Sequence, residues 1–398
     1  MSNLSFMEKL LDGVQVEREA LREITMPTRN IKWRDENDTY HYIDLTSVNI
    51  ETKKVTETSA INSGNAPSRA QKLVEKHDVI FATTRPTQQR YCLIDDEYAG
   101  AVASTGYCVL RAKKNCVLPK WLLYCIASTD FKIYVEDNQS GSAYPAISDA
   151  KVKEFRIPIP CPGNPKKSLE IQAEIVRILD TFTELTSELT TELTARKKQY
   201  NYYRDQLLSF EEGDVDWKTL GRLATITIGE FVHRDKQDSN AKYPVYNGGR
   251  VPTGYYDKYN NTGEKIIVSA RGANAGFVNR ISTSYWAGNS CYSIAVKNTE
   301  LLNWSYVYYF LKKSESKLTG IQQKGGIPAV SKKQMEDFLL PIPSIAEQDR
   351  IVAILDKFDA LTNSITDGLP REIALRQQQY EYYLDLLLSF PQPKDVAA

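Results

Sequence analysis

Two polar stretches follow apolar runs in the two halves of the chain and contain the side-chain types that read DNA bases. In the first half, the stretch after residues 78–82 comprises Thr83, Thr84, Arg85, Gln88, Gln89 and Arg90. In the second half, the stretch after residues 265–268 contains Ser269, Arg271 and Asn274. Arginine forms two hydrogen bonds with guanine in the major groove, and asparagine and glutamine form two with adenine. We therefore predict that both stretches contact DNA, although each residue taken singly also fits an ordinary solvated loop.

Further polar loops occur at matching places in the two halves. The first half carries Gln139, Ser140, Ser142 and Tyr144, and the second carries Gln322, Gln323 and Lys324. Asn247 and Arg250 form a third loop that is present in the second half only. The matched loops are flanked by similar motifs but differ in their own sequences, which is expected if they read different halves of one target. All of these residues are therefore candidates for DNA binding.

The sequence lacks the common signatures of catalytic chemistry. It has no phosphate-binding loop, dinucleotide-binding glycine motif, nucleophile elbow or protein-kinase set. The Asn/Asp-Pro-Pro-Tyr/Phe signature of amino-methyltransferases is also missing, and Asn164-Pro165 is predicted to lie in a linker. The three histidines fit strand or turn positions, and the six scattered cysteines are mostly flanked by apolar residues. We expect no catalytic residue, metal or cofactor on this chain.

Length, composition and charge limit the possible classes. At 398 residues the chain is long enough for two or three domains with cores of their own. No run approaches about 18 apolar residues and no signal peptide is evident, so we expect no membrane insertion and a cytoplasmic location. The formal net charge is zero, whereas a chain that holds DNA alone is normally basic. Either the chain does not bind DNA, or partners supply part of the electrostatic attraction.

Most of the first half is repeated in the second. Pro-Ala-Ile-Ser at 145–148 and Ile-Pro-Ile-Pro at 157–160 recur as Pro-Ala-Val-Ser at 328–331 and Leu-Pro-Ile-Pro at 340–343. Trp121 and Trp304 precede these motifs at the same separation, and each opens an apolar helix pattern. The period is about half of the chain, so the repeat predicts two domain-plus-helix units rather than a solenoid. Strand, turn and short-helix patterns mix in each unit, which favours an α+β (mixed α/β) class.

A long helical segment with an apolar stripe follows each globular half. The first stripe includes Ile175, Phe182, Leu189, Tyr200 and Tyr203, and the second includes Ile351, Phe358, Ile365, Tyr380 and Tyr383. One such stripe alone favours plain core packing. Two equivalent stripes are predicted to pack on each other as an antiparallel coiled coil, with the globular domains related by a pseudo-twofold axis. A helix of about 35 residues spans about 50 Å, the length of about fifteen base pairs.

These patterns divide the chain into six segments. The triplet Leu-Ser-Phe ends both helical segments and also occurs at 4–6, which places the N-terminal tail near the end of the C-terminal helix. Residues 367–370 read Asp-Gly-Leu-Pro and predict a helix break. The predicted boundaries are 1–12 for the tail, 13–160 and 211–343 for the globular domains, 161–210 and 344–390 for the helical segments, and 391–398 for a flexible tail.

The duplicated motifs resemble the specificity subunits of type I restriction-modification enzymes over nearly the whole chain. Besides the proline motifs, the resemblance rests on residues 171–176 and 199–204 and on their second copies at 347–352 and 379–383. It implies two target-recognition domains that each read one half of a split double-stranded DNA target, and an antiparallel coiled coil that spaces them. It also implies that two modification subunits and the restriction (translocase) subunits assemble with this chain in bacterial defence. By the same resemblance, S-adenosylmethionine, ATP and Mg²⁺ act on partner subunits and none acts on this chain.

The chain departs from the family pattern at three places, and two other functions stay open. Glu170-Ile171-Gln172 is a blurred version of the pair Glu347-Gln348, about seven extra residues (161–167) precede the first helix, and Arg18 stands where the second unit has Trp217. One alternative is a coiled-coil adaptor whose domains bind proteins without reading DNA. The other is a self-contained methyltransferase, for which the sequence contains no motif.

Overall fold

The chain folds into two compact units of mixed strands and helices. The computed structural model describes residues 14–211, 213–320, 327–364 and 366–390. Unit 1 comprises residues 1–188 together with 373–398, and unit 2 comprises residues 189–372. The order of strands and helices confirms the predicted mixed α/β class. The N-terminal tail (1–12), Ile365 and the C-terminal tail (391–398) named above lie outside the described residues.

Unit 1 begins with a strand-rich globular part. Its strands are β1 (Val16–Ala20), β2 (Thr25–Met26), β3 (Tyr40–Ile43), β4 (Ser59–Ile61), β5 (Ala70–Leu73), β6 (Val79–Ala82), β7 (Tyr91–Leu93), β8 (Val102–Ser104), β9 (Tyr107–Ala112) and β10 (Arg156–Pro160). Its helices are α1 (Leu21–Ile24), α2 (Pro119–Ala127), α3 (Thr129–Asn138), α4 (Asp149–Glu154) and the first part of the long helix α5 (Pro165–Leu207).

Two four-stranded sheets and one strand pair build this globular part. The sheet orders are β2-β9-β6-β7 and β4-β3-β8-β5, and β1 pairs with β10. Strand β6 reads Val-Ile-Phe-Ala and is buried along its whole length, as an uninterrupted apolar run predicts. Phe81 of β6 packs edge-on against Phe131 of α3, with ring centroids 5.0 Å apart. This core fixes the end of β6, where the polar stretch 83–90 starts.

Unit 2 repeats this plan, except that one of its two larger sheets has three strands instead of four. Its strands are β11 (Asp216–Thr219), β12 (Ala224–Ile228), β13 (Tyr243–Tyr246), β14 (Gly254–Tyr256), β15 (Lys265–Ser269), β16 (Val278–Ile281), β17 (Trp286–Ala287), β18 (Cys291–Val296) and β19 (Leu339–Ile342). They form sheets of order β12-β18-β15-β16, β14-β13-β17 and β11-β19. The helices are α6 (Leu220–Leu223), α7 (Trp304–Lys313), α8 (Glu315–Gly320), α9 (Lys332–Glu336) and α10 (Ile345–Asn363), and α11 (Leu369–Leu388) begins here and continues in unit 1.

The proline motifs have the same structural task in both units. In the antiparallel pair β1–β10, Arg18 lies opposite Pro158, and in the pair β11–β19, Trp217 lies opposite Pro341. Each motif also accepts a hydrogen bond from a buried aromatic side chain. Nε1 of Trp121 donates to the carbonyl of Pro158, and the hydroxyl of the helix α7 residue Tyr306 donates to that of Pro341, both at 3.0 Å. Arg18 and Trp217 are therefore equivalent despite their different chemistry.

The blurred Glu-Gln motif keeps its structural position. Gln172 is fully buried and accepts a hydrogen bond from the backbone N–H of Leu118 at 3.0 Å. Gln348 is equally buried and accepts one from the backbone N–H of Asn303 at 2.9 Å. Each glutamine also donates its amide to backbone carbonyl groups. The two glutamines tie the starts of α5 and α10 to the globular part of their own unit.

The helix boundaries confirm one prediction and correct another. The predicted break is present, because α10 ends at Asn363, α11 starts at Leu369, and Gly368 between them has a left-handed φ of 83°. The carbonyl oxygen of Ala360 leaves no room for a β-carbon at Gly368. The extra segment 161–167 is not entirely a linker, because α5 already begins at Pro165. Proline suits this first position because its missing N–H would be unpaired there anyway.

The apolar stripes pack both on the globular cores and helix on helix. Ile175 belongs to the core of unit 1, and Tyr200 and Ile351 belong to that of unit 2. Farther along the stripes the side chains pack between helices: Phe182 contacts Tyr383 in unit 1, and Phe358 contacts Tyr203 and Tyr200 in unit 2. Tyr380 packs against the core of unit 1, and Leu189 is half-buried. The helices are long enough for a coiled coil, and its antiparallel, pseudo-twofold form stays a prediction.

Candidate nucleic-acid interface

A cavity in unit 1 collects most of the polar residues predicted after β6. Its volume is about 620 Å³. From the predicted set, the cavity is lined by Thr83, Thr84, Arg85, Gln88, Arg90 and Tyr144. None of its eleven described lining residues is acidic, and three are arginines. Its lining therefore carries positive charge and hydrogen-bond donors, the combination that favours nucleic acid.

The two predicted loops of unit 1 are joined by backbone hydrogen bonds. The N–H of Arg85 donates to the carbonyl of Pro145 at 2.7 Å, and the N–H of Ile147 donates to that of Thr83 at 2.9 Å. Ser140 and Ala146 exchange two further hydrogen bonds of 2.8 Å. The loop that carries Tyr144 is thus held as a short ladder beside the loop that carries Arg85. Side chains that are about sixty residues apart in sequence become neighbours.

Arg85 and Gln89 have a backbone conformation that side chains rarely adopt. Their φ angles are 50° and 51°, in the left-handed region, and they flank the short 3₁₀ helix Pro86–Gln88. A non-glycine residue in this region costs about 1–3 kcal/mol and persists where the surroundings or function require it. At Arg85 the cost is increased by Pro86, since proline favours extended backbone in the residue before it.

The guanidinium of Arg85 lies against an exposed aromatic ring. Its Cζ is 5.4 Å from the ring centroid of Tyr144, a distance typical of a cation–π contact. Tyr144 itself is 72% exposed, so this pair stands at the surface of the unit. Neither Arg85 nor Arg69 forms an ion pair with a described residue. Both arginines keep their donors available for a ligand.

Thr83 and Arg90 support the loops of unit 1 through side-chain hydrogen bonds. Thr83 is buried and donates its hydroxyl to the carbonyl of Gly106 at 2.9 Å. Arg90 lines the cavity, but one of its guanidinium nitrogens donates to the carbonyl of Val48. The side-chain oxygen of Gln139 is buried without a hydrogen-bond partner among the described residues. Ser142 is exposed near the tip of its loop.

Lys53 supports the loop end at Gln89. Its ammonium donates to the carbonyl of Gln89 and lies 4.4 Å from the ring centroid of Tyr91. Burial, followed by the charge of Arg90, lowers the pKa of Lys53 to about 8. Lys53 therefore places a half-buried amine beside the loop end at Gln89.

The remaining lining residues were not predicted from the sequence. They are Leu45, Thr46, Arg69, Thr105 and Gly106. The N–H of Thr105 donates to the carbonyl of Arg69 at 2.8 Å, and the hydroxyl of Tyr107 donates to that of Asp44 at 3.1 Å. These contacts depend on the pairing of β8 with both β3 and β5, which no local pattern reveals. The Thr-Gly turn just before the repeated strand β9 was the one available signal.

Unit 2 contains an equivalent ladder with different side chains. Arg271 pairs with Ala329, and the N–H of Gly272 donates to the carbonyl of Pro328 at 2.9 Å. The loop 247–250 joins them, because Nδ2 of Asn274 donates to the carbonyl of Gly248 at 3.4 Å. Three more predicted residues have clear positions: Arg271 is exposed, Arg250 lies over the ring of Phe277, and Asn247 accepts from the N–H of Ser290.

One predicted residue of the second half is buried, and three others lie outside the described residues. Ser269 is only 1% exposed, and its side chain belongs to the buried end of β15, so it is left out of the candidate site. Ser269 was predicted because the apolar run ends at Val268, but strand β15 continues for one more residue. Gln322, Gln323 and Lys324 lie outside the described residues.

The parts of the chain that the structure describes hold neither a cluster of metal ligands nor a membrane-spanning helix. Within these parts, no group of three or more His, Cys, Asp or Glu side chains could hold a metal ion. No described helix has both the length and the apolar character needed to cross a membrane.

Comparison with known proteins identifies the family. The model of the type I restriction modification DNA specificity domain matches twice, at residues 23–197 and 213–375. The type I restriction enzyme EcoR124I/EcoR124II specificity subunit of Escherichia coli is 38% identical, with all of both chains covered. The EcoprrI specificity subunit of Escherichia coli is 32% identical over 92% of this chain and 93% of the relative.

Solved structures agree in fold. The S subunit of a type I restriction-modification system from M. genitalium superimposes with a TM-score of 0.63 at 16% identity, covering 99% of both chains. A chain solved in work on complex assembly and conformational transition of the type I R-M system gives a TM-score of 0.65 at 23% identity, covering 94% of this chain and 97% of that one. With both halves matched by the family model, this chain belongs to the type I restriction-modification specificity subunits.

Proposed function

We propose that this chain is the DNA sequence-specificity subunit of a type I restriction-modification complex, in which each globular unit reads one half of a bipartite target. One observation carries the proposal. The ladder that holds Arg85 in unit 1 is repeated around Gly272 in unit 2, while the side chains on the two ladders differ. A shared frame with different readers is what a target with two different halves requires. The adaptor alternative is not favoured, because it gives no role to the positively charged cavity.

Charge supports a division of labour in the complex. The net charge of the chain is zero, so the three arginines of the cavity supply local attraction but the chain as a whole does not. We propose that modification subunits contribute the remaining phosphate contacts, and that they carry the adenine methylation chemistry with S-adenosylmethionine. ATP and Mg²⁺ then belong to the restriction subunits. This chain acts without catalysis, in the cytoplasm, where its DNA is found.

Two equivalent tyrosines mark docking surfaces for the modification subunits. Tyr202 is 62% exposed and Tyr382 is 64% exposed, and both belong to the repeated motif at 199–203 and 379–383. Each packs edge-on against the tyrosine that follows it, with centroids 5.4 and 5.3 Å apart. Large exposed aromatic side chains are typical anchors of protein interfaces. Because the surface occurs once in each unit, it fits two copies of one partner.

Native mass spectrometry of the reconstituted complex tests this docking. The wild-type chain should bind two modification subunits, whereas Tyr202→Ala or Tyr382→Ala should each bind one. Tyr259→Ala is a suitable control, because Tyr259 is exposed on the globular part of unit 2. Two bound copies for either single variant would argue against these docking surfaces.

The readout itself is tested with a random-sequence DNA library. The chain, purified with its modification subunits, should enrich a motif with two specified halves and an unspecified spacer. Inserting four residues after Thr190 adds about one turn to α5. The insertion should change the spacer length and leave both half-sites intact, as mapped from methylated adenines. A library without any enriched motif would favour the adaptor, and an unchanged spacer would contradict the spacing role of the helices.

A further inference from the structure

One place on the repeated ladder differs sharply between the units. Arg85 and Gly272 are equivalent, because each donates its N–H to the carbonyl of the proline in the Pro-Ala-(Ile/Val)-Ser motif, at 2.7 and 2.9 Å. Both have a left-handed backbone, with φ of 50° and 87°. The residues before the two prolines are Tyr144 and Ile327, which are 72% and 76% exposed. Unit 1 therefore presents an arginine and a tyrosine where unit 2 presents a glycine and an isoleucine.

The position favours glycine, so the arginine needs a reason. Left-handed backbone is readily adopted by glycine, and unit 2 uses glycine here. In unit 1 the strained residue is exposed and forms no ion pair with a described residue, so its side chain does not stabilise the fold by burial or by charge pairing. Strain of this kind is concentrated at functional sites. The arginine is therefore retained at position 85 for a function of its side chain rather than for the stability of the fold.

We propose that Arg85, braced against the ring of Tyr144, reads a guanine in the half-site bound by unit 1. The proposal rests on the proposed function. A guanidinium offers two parallel donors that match O6 and N7 of guanine. A phosphate contact needs only a positive charge within reach, whereas a base contact needs the plane of the guanidinium to be oriented. The fixed backbone and the contact with Tyr144 supply that orientation.

The equivalent position of unit 2 reads no guanine. Gly272 has no side chain, and Ile327 presents only apolar atoms, which suit a thymine methyl group rather than the acceptors of guanine. The two half-sites of the target therefore differ at the base pair that faces this position.

The variant Arg85→Gly tests the assignment, since it copies the residue that unit 2 already uses. In the complex with modification subunits, a random DNA library should show the guanine lost from one position of one half-site. The other half-site should stay unchanged, and the affinity for the original target should fall about tenfold to a hundredfold. The unfolding midpoint should stay the same or rise, because the strain is relieved. Arg85→Lys keeps the charge but not the planar fork of the guanidinium, so it should weaken the preference for the same guanine.

The control is Arg34→Ala, which removes an equal charge from an exposed position of the same unit. It should leave the motif unaltered. A wild-type motif that persists in Arg85→Gly and Arg85→Lys would overturn the guanine assignment, as would an equal loss of affinity for target and random DNA. A wild-type complex that enriches no motif would instead contradict the proposed function.

Discussion

Phe182 of α5 stacks on Tyr383 of α11, with ring centroids 5.2 Å apart and planes inclined by 20°. The equivalent pair in unit 2 is Phe358 of α10 and Tyr203 of α5, at 5.7 Å and 26°. In both pairs the phenylalanine comes from the first half of one helical segment, and the tyrosine lies near the end of the other. In each unit, the two helices are therefore held together by a stack whose rings come from both helical segments.

We expect this stack to contribute free energy of unfolding beyond its buried area. Phe182→Ala and Tyr383→Ala should each destabilise unit 1, and a double-mutant cycle should give a coupling energy of about 1 kcal/mol. Chemical denaturation of the four proteins measures it. Pairing Phe182→Ala with Tyr203→Ala is the control, since these side chains belong to different stacks, and it should show no coupling. A coupling near zero in the true pair would mean that the rings are neighbours without mutual stabilisation.

Replacing either buried glutamine should lower the free energy of unfolding much more than replacing an exposed glutamine. Gln172→Met keeps the size of the side chain but leaves the N–H of Leu118 without its acceptor, which should cost about 2 kcal/mol. Gln348→Met should cost a similar amount for the N–H of Asn303. Gln206→Met, at an exposed position of α5, should be nearly neutral. Equal stability of all three variants would show that water replaces the lost hydrogen bonds.

Lys53 should make stability depend on pH in the alkaline range. Its pKa in the folded chain is lowered to about 8, whereas in the unfolded chain it is about 10.4. Between these values the unfolded chain binds more protons, so this group favours folding increasingly as the pH rises. Compared with Lys53→Met, the wild type should gain stability from about pH 8 to about pH 10. Parallel stability curves for the two proteins would contradict the lowered pKa.

Arg69 should behave as a phosphate contact. It lines the cavity without an ion pair to a described residue, and, unlike Arg85, it has no described aromatic ring against its guanidinium. Arg69→Ala should weaken binding to all sequences alike and reduce the slope of log K against log salt by about 0.9. The enriched motif should not change. A motif altered at one base pair would make Arg69 a reader instead.

The arginine–tyrosine pair can be transferred to unit 2. A β-carbon at Gly272 would meet no atom within 4 Å beyond its chain neighbours, so the first side-chain atom of Gly272→Arg has room. Combined with Ile327→Tyr, it should add a guanine to the second half-site and cost about 1–2 kcal/mol of stability through backbone strain. Gly272→Ala should carry the same strain without the guanine. A folded double variant with the original motif would show that the pair needs further elements of unit 1.

Much of the fold was predictable because local patterns decide it. The apolar runs before the polar stretches form β6 and β15, the proline motifs form β10 and β19, and the break predicted at 367–370 separates α10 from α11. These features depend on residue type within a few positions. The repeat then extends each of them to the second unit.

The cavity was only half predictable. Arg69 and Thr105 reach it through sheet pairing between strands far apart in sequence, which local patterns do not encode. The burial of Ser269 was missed because an apolar run does not show where its strand ends. The left-handed backbone of Arg85 had one signal, since the repeat aligns Arg85 with Gly272. A non-glycine residue that aligns with a glycine of the other repeat is therefore a useful marker of backbone strain.

The composition of unit 1 has a consequence for biosynthesis. Leu384, Leu387, Leu388 and Phe390 complete a core whose other buried members precede residue 180. A ribosome that has made the whole of residues 14–372 still lacks these side chains, whereas every residue of unit 2 has by then been translated. The unit whose synthesis starts first must therefore wait until residues 384–390 have been translated before its core can close.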